Sequence, residues 1–200
     1  MQPFLSLLAL FAVTPALAGH GPILMQQAAT SFEMPTDSVS IPLRLVDGRI
    51  VVDVLLEGKG PYPFVFDTGA HGSVMDLSLA RDLNLAFGQE IMVGSPGGRG
   101  RPGHQVTLER VQLGGLLLNQ VLCVAFDGLP FPQNDTTPRG VLAPYGLQGL
   151  LITLDYRRET LSFRRGELPE PDGREVFGWE QNHGLPEIPG DGIDQDCDGV

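Results

Sequence analysis

Cysteine is scarce in this chain of 200 residues: there are two, Cys123 and Cys197. A disulfide-stapled scaffold is thereby excluded, and stability must rest on an apolar core. Basic charge is scarce as well. Thirteen Lys and Arg stand against 24 Asp and Glu, for a net charge of −11. With no basic stripe to neutralise phosphates, nucleic acid is excluded as a partner. No segment reaches the about 20 consecutive apolar residues of a membrane helix, so no membrane span is expected. The histidines His20, His71, His104 and His183 lack the spacing of a metal site. Ser73 has no Gly-x-Ser-x-Gly around it, which excludes a nucleophile elbow. The glycine-rich stretch 94–103 lacks the Gly-Lys-Ser/Thr of a phosphate cradle.

Glycine (26) and proline (17) are abundant, and 42% of residues are hydrophobic. That combination favours many turns and short strands around a real core. Val39–Leu45 and Ile50–Leu56 are rich in strand formers and flank Asp47-Gly48, a hairpin signal. Lys59-Gly60-Pro61 reads as a second turn, and Tyr62–Phe66 as the strand after it. Asp76 is placed to cap a short helix over Leu77–Leu83, whose Leu79, Ala80 and Leu83 fall at helical spacing. Gln105–Leu108, Arg110–Leu113 and Leu116–Phe126 read as strands punctuated by Gly114-Gly115. A proline-rich loop spans Leu129–Arg139, and an apolar turn region spans Gly140–Leu151. Leu151–Tyr156 and Thr160–Arg164 form a last hairpin. The expectation is an all-β domain over residues 38–165, closed and barrel-like, with one short helix.

The two ends differ from this body. Leu5–Val13 is a compact apolar run followed by Ala16-Leu17-Ala18, so residues 1–18 read as an export signal. The expected location is exported, periplasmic or extracellular. No cysteine follows the cleavage site, so a lipid anchor there is not expected. Residues 19–37 read as an irregular, disordered leader. From Gly166 onward ten Asp and Glu accompany only Arg174, a formal −10 + 1 = −9, and residues 166–200 read as a tail outside the core. Within it, Asp194, Asp196 and Asp198 alternate before Gly199, which offers hard oxygen ligands to calcium. No bidentate acid follows in this sequence, so a weak calcium site and a solvated acidic tail are both open readings. An oxidising compartment would permit a Cys123–Cys197 bridge, while Cys123, inside Val121–Phe126, also reads as a small buried hydrophobe.

The most informative stretch is Phe64-Val65-Phe66-Asp67-Thr68-Gly69-Ala70, an apolar strand that delivers one carboxylate into a tight turn. Two carboxylates side by side can hydrolyse an amide without metal or covalent intermediate. Their like charges cannot both ionise cheaply, so the pair shares one proton. The ionised member takes a proton from water, and the protonated one donates to the carbonyl oxygen. Gly69 lets the backbone turn and brings an N–H toward the carboxylate. Thr68 offers a hydroxyl for a bond across a seam, and Ala70 is small enough for close approach. Asp-Thr-Gly occurs once in the chain, so one copy carries half of such a site. Asp127-Gly128 follows an apolar strand too, but lacks the intervening Ser or Thr and reads as a turn.

Phe66-Asp67-Thr68-Gly69-Ala70 resembles the active-site turn of retropepsin-like aspartic proteases. The resemblance extends over about residues 39–165. Ile41-Pro42-Leu43 through Gly58-Lys59-Gly60-Pro61 is similar to the lead-in of their bacterial exported members, and Gly114–Phe126 to their post-flap strands. Gly140-Val141-Leu142 and then Ile152-Thr153-Leu154-Asp155-Tyr156 are similar to their C-terminal pattern. Two residues depart from the family: Ala143 stands where Gly is expected after Val141-Leu142, and His71 follows Ala70. The resemblance implies a barrel-like lobe, a homodimer with Asp67 from each chain as the catalytic pair, and Thr68 and Gly69 positioning it. It further implies a peptide or protein substrate bound as an extended strand beside Ala70. A flap would close over it, with Gly94–Gly103 the candidate and Gly97 and Gly98 at its centre. No cofactor is implied for catalysis. The competing readings are a catalytically silent lobe that binds peptides or a partner by strand addition, and a calcium-binding surface module.

Overall fold

The computed structural model describes residues 12–14, 30–70, 72–94, 100–131, 137–144 and 147–166. The described residues are mostly strands with one short helix. In order these are Ala12–Thr14 (β1), Ser31–Glu33 (β2), Ser38–Pro42 (β3), Arg44–Val46 (β4), Arg49–Leu56 (β5), Lys59–Phe66 (β6), Ser73–Asp76 (β7) and Leu77–Asp82 (α1). Glu90–Gly94 (β8), Arg101–Leu113 (β9), Leu116–Phe126 (β10), Gly140–Leu142 (β11), Leu150–Asp155 (β12) and Thr160–Arg165 (β13) follow.

The larger sheet runs β1-β8-β9-β10-β7-β11-β6-β5-β4, with β2 added beside β10. Strand β5 also pairs with the far end of β9, Leu55 opposite Gln112 and Leu56 opposite Val111. Strands β9, β10, β7, β11, β6 and β5 therefore form a circuit of pairings that returns on itself. A second sheet joins β12, β13 and β3.

Both faces of the large sheet are covered, and this explains why its strands read as continuous apolar runs. Phe64 and Phe66 point into one core with Val52, Val54, Met75, Cys123 and Phe163. Val65, between them, points into a second core with Val51, Val74, Val124, Val141, Leu129 and Phe131. Each fully buried Phe, Leu or Val contributes roughly 1.5–3 kcal/mol relative to exposure. A polar side chain on either face would lose that and require a partner. Cys123 belongs to the first core as a buried free thiol, and burial pushes its pKa far above the ordinary thiol range. Cys197 lies outside the described residues.

Several local readings are corrected. The tight turn before β6 is Glu57-Gly58, both with positive φ (52° and 74°), whereas Lys59, Gly60 and Pro61 lie in the strand. The Asp47-Gly48 hairpin turn is as expected, with φ of 50° and 75°. Residues 105–113 are one strand with 101–104. Gly103 lets them approach β10: a Cβ there would stand 2.9 Å from Val124 Cγ1. Strand β8 has no counterpart in the sequence reading. Gly140–Leu142 is a strand and not a turn region, because it is hydrogen-bonded on both sides. The segment read as an irregular leader contains β2, which pairs with Leu117–Asn119 of β10, while Thr30 Oγ1 donates to the Gln120 carbonyl. Strand β1 pairs antiparallel with Met92–Gly94 of β8.

Helix α1 begins as the sequence indicates. Asp76 Oδ1 accepts from the N–H groups of Ser78 (2.9 Å) and Leu79 (3.2 Å) and also from the Ser78 hydroxyl. Arg139 Nη2 lies 3.4 Å from the same oxygen. Partial burial raises the Asp76 pKa, but the Ser78 hydroxyl, the Leu79 N–H, the Arg139 charge and the Ser78 N–H outweigh it, and the net shift is downward. A depressed folded-state pKa means stability that is present above the unfolded value of about 3.9 and is lost as pH falls through the folded value. Asp76→Ala is therefore expected to cost about 1 kcal/mol at neutral pH. Urea unfolding at neutral pH and again under strongly acid conditions checks this. The gap between variant and wild type must narrow in acid.

Candidate active site

Strand β6 ends on buried Phe66, and the next residue, Asp67, begins the turn. The Asp67 N–H donates to the Leu142 carbonyl at 3.1 Å, which ties the turn to the end of β11. Its carboxylate oxygen Oδ1 accepts from the Gly69 N–H at 2.9 Å, and the Ala70 N–H donates to the Asp67 carbonyl at 3.3 Å. A backbone N–H on a carboxylate is a charge-assisted bond that orients the acid without neutralising it. Asp67 is half-buried, Thr68 is exposed, and Ala70 is buried in the second core. Thr68 has no hydrogen-bond partner among the described residues, so its hydroxyl is available to a group outside the chain.

Strand β11 is the support. It lies parallel to β6, with Val141 opposite Val65 and Leu142 opposite Phe66, and antiparallel to β7, with Val141 opposite Val74. It is thus inserted between the strand that enters the turn and the strand that leaves it. Two residues to which the sequence assigned no structural role lock it there. Ser73, the one buried polar residue among those described, accepts the Ala143 N–H on its Oγ at 3.1 Å. Arg139 donates its N–H to the Pro63 carbonyl at 2.7 Å, accepts the Asp76 N–H on its own carbonyl at 2.9 Å, and reaches Ser78 Oγ with its guanidinium at 3.0 Å. A lone hydroxyl inside the run Ser73-Val74-Met75 was the available signal for Ser73. Arg139, at the end of a proline-rich loop, offered none. Ala143, which replaces the expected glycine, is buried and fits.

The topology separates Asp67 from the other acid considered. Strand β7 runs parallel to β10, with Ser73 opposite Cys123. Strand β6 runs the other way, so the chain passes Phe66 toward one end of the sheet while β10 runs toward the opposite end. Asp127 stands four residues beyond Cys123, about 13 Å along the strand. Asp127 is exposed at a turn where Gly128 has a φ of 79°, as the sequence suggests. Asp155 binds the Arg158 guanidinium and the N–H groups of Arg157 and Arg158 in its own hairpin turn.

The other sequence candidates divide by what is described. The flap stretch runs from the last residue of β8 to the start of β9, strands that pair antiparallel from Glu90 opposite His104 to Val93 opposite Arg101. Gly97 and Gly98 themselves lie outside the described residues, as do His71, Asp194, Asp196 and Asp198. Among the described residues no group of three or more His, Cys, Asp or Glu could hold a metal ion, and no helix is long and apolar enough to cross a membrane.

Comparison with known proteins agrees with this geometry. Residues 52–144 match a family described as aspartyl protease. That span holds the Asp67 turn, the β8–β9 hairpin and β11. No curated protein sequence matches the chain significantly. Among solved structures, the chain is similar to a retropepsin-like aspartic protease from Rickettsia conorii, at 17% identity and a TM-score of 0.42, over 70% of this chain and 98% of that one. It is also similar to the basic 7S globulin of soybean, at 13% identity and a TM-score of 0.34, over 64% of this chain and 42% of that one. Conglutin gamma from lupine seeds matches at 15% identity and a TM-score of 0.33, over 65% of this chain and 41% of that one. This chain thus spans about two fifths of the two seed globulins, and at such scores these likenesses carry no weight of their own. The Asp-Thr-Gly turn and its supporting strand thus lie inside the span, residues 52–144, that matches the aspartyl protease family.

Proposed function

We propose that the protein is a homodimeric aspartic endopeptidase in which Asp67 of each protomer forms the catalytic pair. One observation supports this reading: the turn presents a single carboxylate, held by the Gly69 N–H and tied through the Asp67 N–H to the Leu142 carbonyl, and Asp-Thr-Gly occurs once in the sequence, so one copy of the turn lacks the second carboxylate that the chemistry needs. A second copy of the turn across a two-fold axis would supply it. Thr68, exposed and without a partner among the described residues, would bond across that axis. Gly69 would hold each carboxylate through its N–H. Water between the two carboxylates would lose its proton to the ionised member, while the protonated member donates to the peptide carbonyl. Ala70 would border an extended peptide substrate. The apolar run and small-residue site at residues 5–18 support export, with action in a periplasmic or extracellular space.

The test is sedimentation and peptide hydrolysis measured together over a dilution series. Specific activity is expected to fall as the dimer dissociates. The rate is expected to pass through an acidic optimum and to decline on both sides, since only the singly ionised pair is active and its two apparent pKa values belong to the pair. A strict monomer that cleaves peptides, or a rate that climbs steadily into alkaline pH, would overturn the reading.

A further inference from the structure

The peptide unit between Leu142 and Ala143 is held at both of its polar ends. Its carbonyl, on Leu142, accepts the Asp67 N–H at 3.1 Å. Its N–H, on Ala143, donates to Ser73 Oγ, also at 3.1 Å. The unit is trans and planar, so its C=O and N–H point opposite ways. One rigid plane therefore joins the Asp67 turn on one side to the Ser73 hydroxyl on the other.

The strand ladders leave the tilt of this plane to those two bonds. The pairing of β11 with β6 ends at Leu142 opposite Phe66, and its pairing with β7 ends at Val141 opposite Val74. The Ala143 N–H thus finds a side-chain oxygen in place of a backbone carbonyl. Leu142 packs in the first core and Ala143 in the second. Packing fixes the two Cα positions, but a peptide unit can turn about the line joining them and leave both side chains in place. Ser73 is a firm anchor for the N–H end. Its backbone is paired with β10 opposite Cys123, and it is only 6% exposed, so water competes little for the bond.

We infer that Ser73 is a positioning residue for Asp67: its Oγ sets the tilt of the Leu142–Ala143 plane, and the Leu142 carbonyl in turn sets how the turn presents its carboxylate. The kinetic part of this inference rests on the proposed peptidase activity; the structural part does not. Without the hydroxyl, the Ala143 N–H is buried and unpaired. The plane then turns, the carbonyl leaves the Asp67 N–H, and the carboxylate moves off its attack geometry.

Peptide hydrolysis and hydrogen exchange on the full-length chain test this together. Ser73→Ala is expected to lower kcat about tenfold with KM held within about twofold, at a temperature where circular dichroism shows the variant folded. Ser73→Thr keeps an Oγ and is expected to regain most of kcat. Ser73→Val has the size of threonine without the hydroxyl and is expected to stay as low as alanine. Should Ser73→Ala fail to fold, the threonine–valine pair makes the same comparison. In exchange, which needs no substrate, Ser73→Ala is expected to speed the Asp67 and Gly69 amides about tenfold along with Ala143, and to leave β5 and β9 unchanged. Acceleration at Ala143 alone would overturn the inference, because the carbonyl would not have moved. Even acceleration over the turn, β5 and β9 would reduce Ser73 to a general stabiliser and overturn it too. So would a folded Ser73→Ala with wild-type kcat, or a threonine variant no better than valine. A wild type that cleaves no peptide would defeat the proposed function, and the exchange pattern would still decide the role of Ser73.

Discussion

Asp67→Asn is expected to lower kcat/KM for peptide hydrolysis by at least about a thousandfold, within the range that positioned acid–base groups contribute. The loss follows from the shared proton. Asparagine cannot accept a proton from water, and a site with one Asp and one Asn has no acid–base pair. The fold should survive. The carboxamide oxygen can still accept the Gly69 N–H now bonded to Oδ1, and the Asp67 N–H still reaches the Leu142 carbonyl. Urea midpoints of the two proteins should therefore agree closely. Mixing supplies a sharper test of the two-fold arrangement. If protomers exchange freely, an equal mixture leaves about a quarter of the dimers with two aspartates. Activity per wild-type chain should then fall to about half. Undiminished turnover in the variant would remove Asp67 from the mechanism. A mixture that keeps all the wild-type activity would mean that each chain works alone.

The second large effect is expected at a residue with no chemistry. Gly140→Ala should destabilise the domain by about 3 kcal/mol, the upper end of what overpacking costs, and should reduce activity further than the stability loss explains. A methyl group there would stand 2.3 Å from Phe64 Cε1 and 2.4 Å from the Val74 carbonyl oxygen. The phenyl ring could turn, but the carbonyl is backbone in the neighbouring strand. Relief requires β11 to move, and β11 carries the Leu142 carbonyl that holds Asp67. Small displacements of a catalytic group are costly because the rate depends on near-attack geometry. Gly72→Ala is the control. It lies between the same turn and β7, nothing stands within 4 Å of its added Cβ, and it should change stability by no more than about 0.5 kcal/mol. Equal effects of the two substitutions would contradict the role assigned to β11.

The contrast between these glycines shows where sequence reading succeeds and stops. Asp47-Gly48 announces a hairpin because both residues must take positive φ, a requirement that local chemistry alone imposes. Asp76 announces α1 because a carboxylate ahead of Leu77–Asp82 can satisfy the helix's first N–H groups. Leu116–Phe126 is legible end to end because an apolar run between turns is a buried strand. Gly140 looks like Gly72 in the sequence. Its necessity comes from Phe64 and Val74, both more than sixty positions away.

The Asp67 turn belongs to the first group. An apolar strand, an acid, a hydroxyl, a glycine and a small residue in that order state their chemistry, since each acts on its immediate neighbours through backbone geometry. The family and the mostly-strand class follow from the same local pattern. Long-range pairing decided the rest. It made Gly140–Leu142 a strand by giving it hydrogen-bond partners on both sides, gave Ser73 its buried acceptor role, and placed Arg101 on the Gly128 carbonyl. It also carried Asp127 four residues beyond Cys123, the partner of Ser73, through the direction of β10. The physical reason is the same in each case. Turn conformation and helix capping are settled within four or five residues, whereas strand order and register are settled by which distant apolar faces can be buried together, and composition does not encode that choice locally.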